Sequence, residues 1–129
     1  MDSAKPNLDK RLCPDPVMYI CVNTDLKMRS GRMAAQVGHI VQTITEEIIR
    51  DSYETVPTPS YCLTYMKWKR KCIKVVLGAT EEQLRLLITL PQARYFMDST
   101  TEDGEKQLTV VGFFPSSTIG SQLNEFKLI

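Results

Sequence analysis

Arg32, Gln36, His39 and Thr43 are the first residues of this chain whose types and spacing suggest chemistry. On a helix opening near Ser30, at about 100° per residue, they form a narrow polar stripe roughly 120° from the apolar one. The stripe is expected to face away from the core. It begins where a helix N-terminus offers free N–H groups and the positive end of the dipole, with Lys27, Arg29 and Arg32 close by. That combination suits a phosphate or carboxylate; the plain alternative is a solvated helix face. A second basic cluster, Lys67, Lys69, Arg70 and Lys71, interleaves with Tyr65 and Trp68. Binders of single-stranded nucleic acid offer cations and stackable rings in this way, although a solubilising segment ahead of a strand has the same composition. Asp98 closes an apolar run at the edge of a polar stretch from 98 to 107, where it serves either as a functional carboxylate or as a turn residue. Thr100, Thr101 and Thr109 place hydroxyls on either side of that stretch. His39 is the only histidine and no CxxC pair accompanies it, so a zinc site is not expected. Neither a GxSxG elbow nor a GxxxxGK[ST] or GxGxxG phosphate loop occurs, and no cofactor is expected.

The elements that must position these residues follow from periodicity. Val17 to Val22 is a continuous apolar run closed by Asn23-Thr24-Asp25, the pattern of a central strand buried on both faces. Met33, Val37, Ile40, Val41, Ile44 and Ile48 repeat with the spacing of one helical face, and the prolines at 57 and 59 end that helix. A short second helix is expected over Ser60 to Lys69 and a second strand over Cys72 to Leu77. Thr80 with Gln83 fits a capping box for a third helix that stops before Pro91. Tyr95 to Met97 and Leu108 to Phe113 read as two further strands joined by a long hairpin, and Ser116 or Ser117 as the cap of a short last helix through Leu123. The expected fold is a single-domain three-layer α/β/α architecture with a four-stranded mixed sheet over 17–129, after a loose arm over 1–16.

Composition narrows the function classes. A chain of 129 residues makes one domain with one core. Sixteen basic and fifteen acidic residues leave a net charge of +1, so any polyanion must be held by a local patch. The apolar run from Val17 to Val22 falls far below the roughly 18 residues needed to span a bilayer, and a membrane partner is not expected. The first residues are polar and lack the apolar stretch of a secretion signal. Cys21 and Cys72 sit in strand-like runs, where free cysteine packs as a small hydrophobe, and Cys13 and Cys62 complete no paired motif. A reducing, cytoplasmic location is expected.

The contiguous run Asp25-Leu26-Lys27-Met28-Arg29-Ser30-Gly31-Arg32-Met33-Ala34-Ala35-Gln36-Val37-Gly38-His39 resembles the signature of the type II, archaeal and eukaryotic, peptidyl-tRNA hydrolases. There a strand ends in Asp-hydrophobic-Lys-Met, a glycine and a lysine open the first helix, and Ala-Ala-Gln-x-x-His follows. The downstream order agrees, from the lysine-led strand before Thr80-Glu81-Glu82 through Thr109-Val110-Val111-Gly112 to the final Phe126-Lys127-Leu128. The resemblance implies hydrolysis of the ester joining a peptide to the 3′ end of tRNA. Carried over by motif, Asp98, Arg32, Thr101 and Thr109 would form the catalytic group, with Asp98 acting on water and Arg32 and Thr101 supplying donors. Lys27, Arg29, Gln36, His39, Lys67, Lys69, Arg70 and Lys71 would bind tRNA, and a homodimer is implied. Arg32 stands where the family has lysine, and Asp98-Ser99-Thr100-Thr101 lacks the family's glycine. Such changes resemble the divergent peptidyl-tRNA hydrolase domain-containing subgroup. A protein of the same fold that binds tRNA or another polyanion without hydrolysis is the alternative.

Overall fold

The computed structural model describes residues 15–99 and 104–129. Its centre is β1 (Met18–Asn23), in which all six residues are buried, as an unbroken apolar run requires. α1 (Ser30–Glu54) and α2 (Ser60–Trp68) lead to β2 (Lys74–Ala79). α3 (Glu81–Leu87), β3 (Ala93–Ser99) and β4 (Lys106–Phe113) follow. A 3-10 turn (Ile119–Leu123) and β5 (Lys127–Leu128) end the described chain.

The sheet order is β3-β4-β1-β2-β5, with β1 and β2 parallel and the other neighbours antiparallel. Among the described residues it therefore has five strands, not the four expected from sequence. β5 contributes only two residues, paired Leu77 with Leu128 and Gly78 with Lys127, too short a segment to register as alternation. The three-layer expectation holds. Met18, Ile20 and Val22 pack with Ile40, Ile44 and Ile48 under α1 and α2, whereas Tyr19 and Cys21 pack with Leu84 and Leu87 of α3.

Two further expectations change. The polar stretch after Asp98 is not a long loop from the outset, because β3 runs to Ser99 and pairs with Lys106 at the foot of β4. Cys72 lies outside the strand, exposed and in the left-handed region at φ 54°, because β2 starts two residues later. The capping box is present: Thr80 Oγ1 accepts from the Gln83 N–H at 3.2 Å and the Thr80 N–H donates to Gln83 Oε1 at 2.9 Å. The last helix is a 3-10 turn whose first N–H groups, those of Thr118 and Ile119, donate to Ser116 Oγ.

α1 lies close to β4 because Gly112 has no side chain. A Cβ there would stand 2.8 Å from Ile40 and 2.9 Å from Ile44, inside contact distance. That approach brings the first two turns of α1 alongside β3, where the candidate site forms.

Candidate functional site

Strand alternation aims Arg94, Phe96 and Asp98 of β3 at α1. On β4 the alternation is interrupted. Phe96 pairs with Val110 but Met97 pairs with Leu108, so Thr109 is an extra residue in a β-bulge. The bulge turns both Thr109 and Val110 toward α1, while Leu108 stays on the α3 side. Gln36 projects from α1 into the gap between Thr109 and Asp98.

A chain of hydrogen bonds results. The Thr109 hydroxyl donates to Gln36 Oε1 at 2.7 Å, and Gln36 Nε2 donates to Asp98 Oδ2 at 2.8 Å. The orientation of the amide is dictated by chemistry, because an ionised carboxylate only accepts and the amide must turn its NH2 toward it. Gln36 is 1% exposed and Thr109 fully buried, whereas the Asp98 side chain is 34% exposed. The chain thus runs from the protein interior to one surface carboxylate. The Ser99 N–H donates to the other oxygen, Oδ1, at 2.8 Å. Arg32 Nη2 lies 3.3 Å from Asp98 Oδ2 and also donates to the Ser99 carbonyl.

These donors settle the charge state. The Gln36 amide is the largest influence holding the Asp98 carboxyl below its usual range; partial burial opposes it, and the Ser99 N–H, Arg32 and His39 add to the lowering. Asp98 is a carboxylate at neutral pH. Among the described residues, three donors converge on its two oxygens, and the side chain stays partly exposed.

Asn23 is the other buried polar side chain that shapes the site. Its Nδ2 donates to the Leu108 carbonyl at 2.8 Å and to Glu81 Oε1 at 3.0 Å, and its Oδ1 accepts from the Asp25 N–H. It ties the end of β1 to the strand residue beside the bulge. The sequence marks Asn23 as a strand stop, and a carboxamide directly after six buried apolar residues, Val17 to Val22, also needs partners inside the fold.

The peptidyl-tRNA hydrolase PTH2 family model matches residues 16–129. The chain belongs to this family. A comparison with curated proteins gave no match.

Within this family member, the residues expected to act together fall into three groups. Arg32, Gln36, Asp98 and Thr109 converge, but Gln36 and Thr109 lie behind the surface. Gln36 is therefore not part of a solvated stripe: it is buried one turn before Ile40, in the same row as Ile40, Ile44 and Ile48, whereas Arg32, His39 and Thr43 of that stripe are exposed. Lys27 and Arg29 are exposed on the loop entering α1, at the end of β1 nearest Asp98. Lys67, Lys69, Arg70 and Lys71 are also exposed, yet they stand at the opposite end of the sheet, where β2 begins. A six-residue strand separates the two ends, about 20 Å at 3.3 Å per residue. Trp68 is not available to stack on a base, since it is buried with its Nε1 donating to the Ile73 carbonyl at 2.7 Å and Tyr65 packed against it. Lys71 pairs with Asp15 at 2.8 Å. Thr100 and Thr101 lie outside the described residues. No helix among the described residues is long and apolar enough to cross a membrane.

Proposed function

We propose that the protein hydrolyses the ester of peptidyl-tRNA at the surface opened by Asp98 and Arg32. The observation that supports this most is the hydrogen-bond chain from Thr109 through Gln36 to Asp98, which fixes one carboxylate in place from the buried side and leaves its outer side open. Such preorganisation from behind is what a water-positioning group needs.

In this reading water adds to the ester carbonyl, the bond to the 3′ ribose oxygen breaks, and the water proton ends on that oxygen. Asp98 accepts a hydrogen bond from the attacking water and stabilises the positive charge that grows on it. Its lowered proton affinity makes it a weak base, so orientation outweighs full deprotonation in its contribution. Arg32 and the N–H groups at the start of α1 face the developing oxyanion, with Thr101 as a further donor by family motif. Arg32 offers a permanent charge in place of a lysine and binds rather than transfers protons. Thr109 and Gln36 are positioning residues. Lys27 and Arg29 hold phosphates near the reacting end, and Lys67 to Lys71 hold others about 20 Å away, a span suited to a long polyanion. A reducing, cytoplasmic setting and a homodimer complete the reading.

A binding protein without hydrolysis is the second reading, and one observation favours it. Arg32 lies against Asp98 and takes up one of its acceptor positions. The test is release of labelled peptide from peptidyl-tRNA by excess protein. Free peptide with intact tRNA supports the enzyme; stable binding without release supports the second reading.

A further inference from the structure

We propose that His39, backed by Phe96, is the platform on which the 3′-terminal base of the tRNA stacks, so that its ribose and ester come to rest at Asp98. This rests on the peptidyl-tRNA reading above. His39 lies one turn beyond Gln36, on the flank of α1 that meets β3. Its ring lies nearly flat on Phe96, with centroids 4.7 Å apart and planes inclined by 22°. His39 is exposed and Phe96 half-buried, so one face of the imidazole is covered and the other is turned to solvent. An aromatic ring fixed from behind with its outer face open is what an unpaired base uses, because every base presents a π face whatever its sequence.

The spacing fits the substrate. Phe96 and Asp98 are two residues apart on one face of β3, about 7 Å. A terminal nucleoside stacked on His39 spans a comparable distance from its ring to its own 3′ oxygen, which places the ester at the carboxylate. Arg29 lies at the start of the same helix, where the phosphate of that nucleotide meets positive charge. At the second basic cluster Trp68 is buried and offers no such open face. His39 is therefore a positioning residue for the reaction, and its chemistry is that of a flat surface rather than of an acid or base.

The experiment measures equilibrium binding of an uncharged acceptor-stem minihelix, with the terminal adenine present or replaced by an abasic residue, to the parent, His39→Ala and His39→Phe. Stacking of one base predicts that the parent loses roughly 5- to 100-fold in affinity when the base is removed. His39→Ala should show the same loss with the base present and little further loss without it, and His39→Phe should keep the parent's preference. Because His39 is exposed, both variants should melt with the parent. Equal binding of the two RNAs by the parent, an unchanged preference in His39→Ala, or a phenylalanine variant that behaves like alanine would each overturn the proposal. Failure of the parent to bind either RNA would instead remove the peptidyl-tRNA reading on which it rests.

Discussion

Replacing Gln36 with leucine separates positioning from packing at this site. Leucine nearly matches the volume of the glutamine, so the buried space between α1 and the sheet stays filled. The bonds lost are the 2.8 Å donation to Asp98 and the 2.7 Å acceptance from Thr109. Thr109 has the Phe96 carbonyl 3.2 Å away as a second acceptor, so its hydroxyl is not stranded and the loss of stability should be about 1 kcal/mol. A hydrogen bond to a charged group contributes about 1.5 to 3 kcal/mol where water is excluded. The Asp98 side chain is 34% exposed, and water replaces part of the bond. About 1 to 1.4 kcal/mol of orientation remains at stake, roughly five- to tenfold in kcat. The pH dependence has a definite sign. Asp98 is ionised above a folded-state pKa that is lower than usual chiefly because of Gln36, so hydrolysis falls only as pH drops through that value, and in the leucine variant the fall should come at higher pH. A lowered carboxyl pKa stabilises the fold above the unfolded value and loses that effect as pH falls through the folded one. The gap in melting temperature between parent and variant should thus be widest near neutral pH and narrow in acid. Single-turnover hydrolysis and melting, both followed from neutral to acid pH, measure these effects. A variant that melts lower but keeps the parent's kcat and acid limb would show that the chain from Thr109 serves stability alone.

Arg32→Lys should keep substantial activity because a compact cation can still face the developing oxyanion, whereas Arg32→Ala should lower kcat; equal kinetics in all three proteins would make the charge irrelevant. Changing Lys67, Lys69 and Arg70 together to glutamine should weaken tRNA binding and flatten the slope of log affinity against log salt by up to roughly three, and an unchanged slope would remove that cluster from the interface. Gly112→Ala drives a methyl group against Ile40 and Ile44 and should cost about 1 to 3 kcal/mol by urea unfolding. A wild-type midpoint would mean that α1 shifts freely away from β4.

Periodicity and capping made most of the framework legible. The spacing of Ile40, Ile44 and Ile48 located α1, all three being buried, and Thr80 with Gln83 located the start of α3. What could not be read depends on contacts between distant segments. The bulge at Thr109 exists only relative to β3, and nothing in Leu108-Thr109-Val110 by itself reveals a change of register. Gln36 reads as a surface residue by its polar type, yet it stands four residues before Ile40 on the buried row that continues through Ile44 and Ile48, so its position and not its chemistry was the signal. Trp68 was expected to stack on a partner, but the carbonyl of Ile73 satisfies its N–H inside the fold. The family motif groups Arg32, Asp98 and Thr109; the hydrogen bonds show that Gln36, expected among the tRNA contacts, links Thr109 to Asp98, against which Arg32 lies.

The most direct test is single-turnover cleavage of peptidyl-tRNA by the parent and by Asp98→Asn, with tRNA affinity measured alongside. The amide keeps the shape of the side chain and removes the charge that holds water, so hydrolysis should fall by about 10² to 10⁴ while tRNA binding stays nearly intact. Cleavage by the variant within a few-fold of the parent, or no cleavage by the parent itself, would contradict the assignment of Asp98 as the carboxylate that positions the attacking water.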